Sequence, residues 1–294
     1  MRADEADRVD RVIARRLENV SRRRIVDLIA EGAVRVDGRR ARKGERVAAG
    51  AVVELAHAPA TTEDLRTRPD ATVELDILYS DDDVVIINKP AGLASQPLRP
   101  GELGTAANGI VARFPECAAV ADDPRDGGLV HRLDRGTSGA LAAARTRAAW
   151  VALRAAFGDR RVEKSYLALV DTAPVSSECE APLAQRGNHA AVDYTNGLEA
   201  HTRWTVVEKL GERRLLRCTA LTGRMHQVRV HLATCGAPIS GDALYGGAPL
   251  DGLTGFFLHA ERLVLPGARG PVTVDAPLPP DRAAVLASRR GGAP

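Results

Sequence analysis

Hydrophobic positions at the start of the chain recur every three or four residues: Val9, Val12, Ile13 and Leu17, then Ile25, Leu28 and Ile29. That spacing predicts two short helices, with Ser21 placed to cap the second. The period then drops to two at Val34 and Val36. Asp37-Gly38 follows, a dipeptide that favours the tight primed turn of a hairpin. A strand at 52–55 closes a small domain predicted over 1–56. From His57 the pattern dissolves into Ala, Pro, Thr and charge, which reads as a linker over 57–72.

A second domain is predicted over 73–288. The apolar run 84–88 reads as a buried strand, 105–114 as a helix, and Thr146 as the cap of a helix reaching Phe157. The alanines of 140–144 favour a helix, whereas their place after a glycine-rich loop allows a strand. Alternation at Tyr166, Ala168 and Val170, at 204–207 and at 215–218 predicts further strands. Met225, Val228 and Leu232 predict one face of a helix capped by Thr222 and ended near Gly236. Strands and helices interleave without regular βαβ units. The expected fold class is therefore α+β, a domain on a mixed, largely antiparallel sheet preceded by a small basic α/β domain.

Apolar residues at 45% and charged residues at 27% place the chain among globular proteins. No run reaches the 18 or so apolar residues of a membrane span, and the first ten residues lack the apolar core of a secretory signal. A cytoplasmic monomer with no membrane partner is expected. The four cysteines are scattered, which predicts reduced thiols and neither disulfide nor zinc site. The net charge of +3 conceals an asymmetry. Residues 8–46 hold thirteen Arg or Lys against six Asp or Glu, so that segment carries +7 and the remainder −4. A genome biased toward arginine codons explains why only four lysines occur, but not why the positive charge gathers in one place. Arg22, Arg23 and Arg24 open the second helix, and Arg35, Arg39, Arg40, Arg42 and Lys43 decorate the hairpin. Nucleic-acid backbone phosphates are their natural complement.

Three stretches carry candidate chemistry. In His131-Arg132-Leu133-Asp134-Arg135, followed by Gly136-Thr137-Ser138-Gly139, a carboxylate sits between two arginines on a loop whose glycines allow close approach. It suits an ionised nucleophile or base, and equally half of a salt bridge. In 221–247, Arg229 lies at the edge of an apolar stripe and needs an anionic partner. His226 and His231, five residues apart, face different sides of a helix and do not make a metal site. In Lys164-Ser165-Tyr166, the tyrosine is core filling or a stacking platform. A retaining glycosidase would want two carboxylates, and a serine hydrolase would show G-x-S-x-G where 136–140 read Gly-Thr-Ser-Gly-Ala.

HRLDRGTSG, INKPAGL at 87–93, KSYLALV, GRMHQVRVHLA and PISGDALYG occur together and in order. Over residues 76–280 the chain resembles the RluA-type pseudouridine synthases, and 8–55 resembles the RNA-binding domain of a ribosomal small-subunit protein. His131, in place of glycine, separates it from the sister RsuA type. Gln96 stands where a histidine is common and Arg145 where a lysine is usual, departures that bear on substrate choice. The resemblance implies isomerisation of uridine to pseudouridine in RNA, ribosomal RNA ahead of transfer RNA, without any cofactor or metal. It implies Asp134 as the essential carboxylate, Arg229 as its ion-pair partner and Tyr166 as the ring stacked on the uracil and a candidate proton acceptor. Arg132 would fill the space of the flipped base. His131, Leu133, Lys164, Arg224, His226 and Gln227 are implied as substrate-binding. An RNA-binding protein that has lost activity is the main rival reading.

Overall fold

The computed structural model describes residues 1–17, 20, 22–57, 62–267 and 270–291. It divides into two compact units, Met1–Thr67 with Leu98–Glu102, and Arg68–Pro97 with Leu103–Pro294.

The first unit contains β1 (Asp7–Arg8), α1 (Val9–Arg16), α2 (Arg22–Glu31), β2 (Val34–Val36), β3 (Arg39–Arg40), β4 (Arg46–Val47), β5 (Val53–Leu55) and α3 (Thr62–Leu65). The apolar stripes of α1 and α2 meet Val34, Val36 and Val53 in one core. Asp37 and Gly38 both have positive φ, 49° and 79°, which the primed turn between β2 and β3 requires. α3 falls inside the stretch expected to be a linker. Ser21, the expected cap of α2, lies outside the described residues.

The second unit contains β6 (Ile77–Ser80), β7 (Val84–Lys89), α4 (Ala106–Arg113), β8 (Ser138–Ala144), α5 (Arg147–Gly158), β9 (Glu163–Val170), β10 (Glu178–Cys179), β11 (Leu183–Arg186), β12 (His189–Val192), β13 (Thr202–Leu210), β14 (Arg213–Ala220), α6 (Gln227–Thr234), β15 (Leu258–Leu265), β16 (Val272–Asp275) and α7 (Pro280–Arg290). Its main sheet runs β10-β13-β14-β9-β15-β8-β7-β6, with β16 on β15, and only β15 and β8 pair in parallel. β11 and β12 form a separate hairpin. Among the described residues no helix is long and apolar enough to cross a membrane.

Residues 140–144 form a strand because both of their faces are covered. Ala140, Ala142 and Ala144 pack with Trp150 and Leu153 of α5, whereas Leu141 and Ala143 pack with Ile110 and Val111 of α4. Small side chains let both helices approach the sheet, and this burial overrides alanine's helical preference. Gly139, at φ 113°, is needed here, since a Cβ would lie 2.2 Å from the Ala260 carbonyl of β15.

Helix α6 departs from expectation. Gln227 through Leu232 are all buried, so the helix reaches solvent only at its C-terminal end, at Thr234. Thr222 does not cap it; its hydroxyl donates to the Gln227 side chain and accepts from the His201 N–H. The position before the helix belongs to His226, in the left-handed region at φ 53°.

Candidate active site

Asp134 lies on the loop entering β8, and two buried cations fix that loop. Lys89, at the end of β7, has no exposed surface, and its Nζ donates to the carbonyls of Pro90, Leu93 and Arg135 at 2.9, 2.8 and 3.4 Å. Burial pushes its pKa down to about 7, against the pull of the Asp134 charge. Arg282 of α7, also unexposed, donates to the carbonyls of Gly136 and Phe256. The Ser95 hydroxyl donates to the Leu133 carbonyl and accepts from its N–H. Gly136 admits the Phe256 ring, which a Cβ would meet at 2.7 Å. The loop is thus held on three sides through its backbone, and the Asp134 side chain stays 25% exposed.

Arg229 projects from α6 toward it. Its Nε and Nη2 donate to the two oxygens of Asp242 at 2.7 and 2.9 Å, and Nη1 donates to Asp134 Oδ2 at 3.0 Å. The guanidinium lies between the rings of Tyr245 and Phe256, 4.9 and 4.2 Å from their centroids. Burial opposes its charge, but Asp242 and then Asp134 outweigh it and hold the pKa above the ordinary value. The two-pronged grip of the guanidinium falls on Asp242, and Asp134 receives a single bond. Among the described residues no hydrogen bond reaches Asp134 Oδ1, and His226 Nε2 lies 3.8 Å from it.

Tyr166 of β9 packs against two neighbouring core clusters, one containing Ala168 and Cys218 and the other Leu133 and Ala260. Burial and then the Asp134 charge push its phenol well above the usual tyrosine range, so it is a neutral hydroxyl at pH 7. Arg132 is exposed, with Nη1 3.5 Å from Gln96 Oε1.

Several residues named from the motifs hold the scaffold. The His131 ring stacks on Phe157 at 4.9 Å and its Nε2 accepts from the Ala142 N–H, while burial pushes its pKa down to about 3. Leu133 is core. Gln227 uses its whole amide, accepting from Thr222 and Arg224 and donating to His201 and Thr202. A side chain with every polar atom bonded inside the protein has none left for a base. Lys164 is buried and donates to the Thr222 carbonyl; burial and then Arg224 push it down to about 8. Arg224 donates to the Glu199 carbonyl. His231 is a satisfied core histidine, bonded to Thr202 and the Ala181 carbonyl.

In the first unit, ion pairs narrow the basic surface. Arg8, Arg15 and Arg16 engage Asp10, Glu5, Asp7 and Asp4, three of which precede the segment whose charge was counted. Arg24 pairs with Glu31 and Arg39 with Glu45, and Arg40 donates to the Ala30 carbonyl. Arg22, Arg42 and Lys43 are exposed with no ion-pair partner among the described residues. The Arg23 side chain lies outside what is described.

A family model described as RNA pseudouridylate synthase matches residues 83–234, and one for the S4 domain matches 7–53. A ribosomal large subunit pseudouridine synthase D of Xylella fastidiosa is 38% identical, over 96% of this chain and 89% of its own length. A ribosomal large subunit pseudouridine synthase C of Vibrio vulnificus is 33% identical, over 92% and 89%. The solved structure of human RNA pseudouridylate synthase domain containing 1 aligns with a TM-score of 0.57 at 26% identity, over 77% of this chain and 98% of that one.

Proposed function

Because the chain belongs to the RNA pseudouridylate synthase family and carries an S4 domain ahead of the synthase fold, we propose that it isomerises uridine in large-subunit ribosomal RNA, with Asp134 as the reacting carboxylate. The observation that carries the chemical part is the division of labour at Arg229: one oxygen of Asp134 is fixed and the other is open. The isomerisation breaks N1–C1′, forms C5–C1′, removes the C5 proton and protonates N1. Both routes at the sugar, attack on C1′ or removal of the C2′ proton, need an ionised oxygen with a lone pair left free. A stacked base hides its glycosidic bond, so the uridine has to leave the helix, at a cost of a few kcal/mol. Arg132, exposed two residues before Asp134, is the side chain we assign to the vacated stack. The names of the relatives support the ribosomal target.

Purified protein incubated with large-subunit ribosomal RNA and, separately, transfer RNA transcripts tests the target, with pseudouridine mapped by carbodiimide. Modification at discrete ribosomal positions is expected. Modification of transfer RNA alone would overturn the ribosomal assignment.

The first unit contributes affinity through phosphates. Replacing Arg22, Arg42 and Lys43 by Gln is expected to make the slope of log K against log salt shallower by about 2–3, while leaving the saturated single-turnover rate unchanged. An unchanged slope would remove these side chains from the RNA interface.

For Tyr166 the ring and the hydroxyl separate in Tyr166→Phe. If the phenol oxygen receives the C5 proton, the variant binds RNA normally and its single-turnover rate falls by about 10²–10⁴. Because the phenol starts neutral, its own proton must leave in the same step, and N1 of the uracil, which gains a proton over the reaction, is the acceptor that balances it. This loss is the expected outcome; a rate within a few-fold of wild type would leave Tyr166 as a stacking platform only.

A further inference from the structure

His226 sits immediately before α6 in a left-handed conformation that non-glycine residues adopt only when their surroundings hold them. Its side chain makes no capping hydrogen bond to the helix, so capping does not explain the placement. One ring nitrogen, Nδ1, lies 2.8 Å from the Tyr245 hydroxyl. The other, Nε2, points at Asp134 Oδ1, 3.8 Å away. Tyr245 is itself fixed: its hydroxyl accepts from the Ala190 N–H at 3.0 Å and lies 3.2 Å from the Ala190 carbonyl, both on β12. With one acceptor site of the hydroxyl filled by the Ala190 N–H, the phenolic proton has two acceptors within reach, Nδ1 at 2.8 Å and the Ala190 carbonyl at 3.2 Å. A neutral imidazole that accepts at Nδ1 carries its proton on Nε2, toward the carboxylate.

We propose that His226 is a positioning residue for Asp134, that its Nε2–H closes onto the oxygen Arg229 leaves open once RNA seals the site, and that Tyr245 sets the tautomer. Catalytic hydrogen bonds are often long before substrate arrives and tighten in the complex. The charged and titratable groups facing the imidazole are Asp134, Arg229, Asp242 and His189, and burial among them favours the neutral ring. An ionised carboxylate oxygen has two acceptor directions, so the imidazole N–H fills one direction of Oδ1 while the other stays free to meet the sugar. Tyr245 also covers one face of the Arg229 guanidinium, so a single side chain links the β11–β12 hairpin to both groups that hold Asp134.

The inference rests on Asp134 being the reacting carboxylate, and two substitutions of His226 isolate it. Asn tolerates the left-handed backbone and reaches the Nδ1 position but not Nε2, whereas Gln places an N–H near Nε2. In single turnover at saturating RNA, His226→Asn is expected to lose ~10- to 100-fold, the worth of one hydrogen bond to a charged group. His226→Gln is expected to stay within about 5-fold, and RNA affinity to change in neither. Equal rates for the two variants would overturn the inference. Should the Asn variant not fold, Tyr245→Phe decides: a loss of about 3- to 10-fold supports the tautomer role, and a rate within about 2-fold of wild type overturns it. Asp134→Asn run alongside separates the two failures. An active Asp134→Asn removes the underlying assignment, whereas an inactive one with matching Asn and Gln at 226 removes His226 alone.

Discussion

Asp134→Asn is expected to fold, to bind RNA with unchanged affinity and to lose at least about 10⁴-fold in single-turnover rate, the scale seen when an enzyme's reacting group is deleted. The fold survives because Arg229 keeps its bidentate partner Asp242, so no buried cation is orphaned. The binding survives because Asp134 is one anion in a surface that captures a polyanion, and removing it cannot weaken that attraction. The rate does not survive, because no other carboxylate stands in the loop 131–139. Turnover within about 100-fold of wild type in the pure variant would take the reaction away from Asp134.

The second large effect concerns the shared guanidinium. Arg229→Lys keeps a positive charge but offers one nitrogen where the wild type uses three toward two carboxylates. The ammonium can satisfy Asp242, the more deeply buried at 2% side-chain exposure, or Asp134, but not both in the present geometry. It also loses the stack between Tyr245 and Phe256. A fall of about 10²–10³ in single-turnover rate is expected, together with a lowered melting temperature. Asp242→Asn separates charge from geometry from the other side. With Asp242 neutral, the fork is expected to draw Asp134 into a bidentate pair that turns Oδ1 away from the sugar, lowering the rate by about 10- to 100-fold. Wild-type rates in both variants would show that Asp134 is oriented by something other than Arg229.

Much of this site was legible where chemistry is encoded in contiguous residues. The loop around Asp134, the strand with Tyr166 and the helix with Arg229 each announce themselves by a motif and a local period, and the fold brings Asp134 and Arg229 together across 95 residues. What was missed is non-local. Asp242 follows α6 by a loop, so nothing in the spacing says that its carboxylate rather than Asp134 fills the guanidinium fork. Arg282 reaches a carbonyl 146 residues earlier, a contact that leaves no periodic trace. His131 and Gln227 belong to motifs, but a motif records scaffold as readily as contact, and here the imidazole stacks on Phe157 and the amide is bonded at every polar atom. The alanines of β8 were ambiguous because local propensity and two-sided burial pull in opposite directions, and only the packing of α4 and α5 decides between them. In the first unit, Asp4, Glu5 and Asp7 precede the basic segment in sequence but pair with Arg15 and Arg16 of α1 through space.

The chemistry itself provides the most direct measurement. Forming C5–C1′ expels the hydrogen on C5, so large-subunit ribosomal RNA carrying tritium at C5 of uridine reports each isomerisation as tritium in water, while the base stays attached to the chain. The wild-type protein is expected to release tritium to a small whole-number stoichiometry with no free uracil, and Asp134→Asn to release none above background. Free uracil, or release that Asp134→Asn sustains at the wild-type level, would contradict an isomerisation driven by this carboxylate.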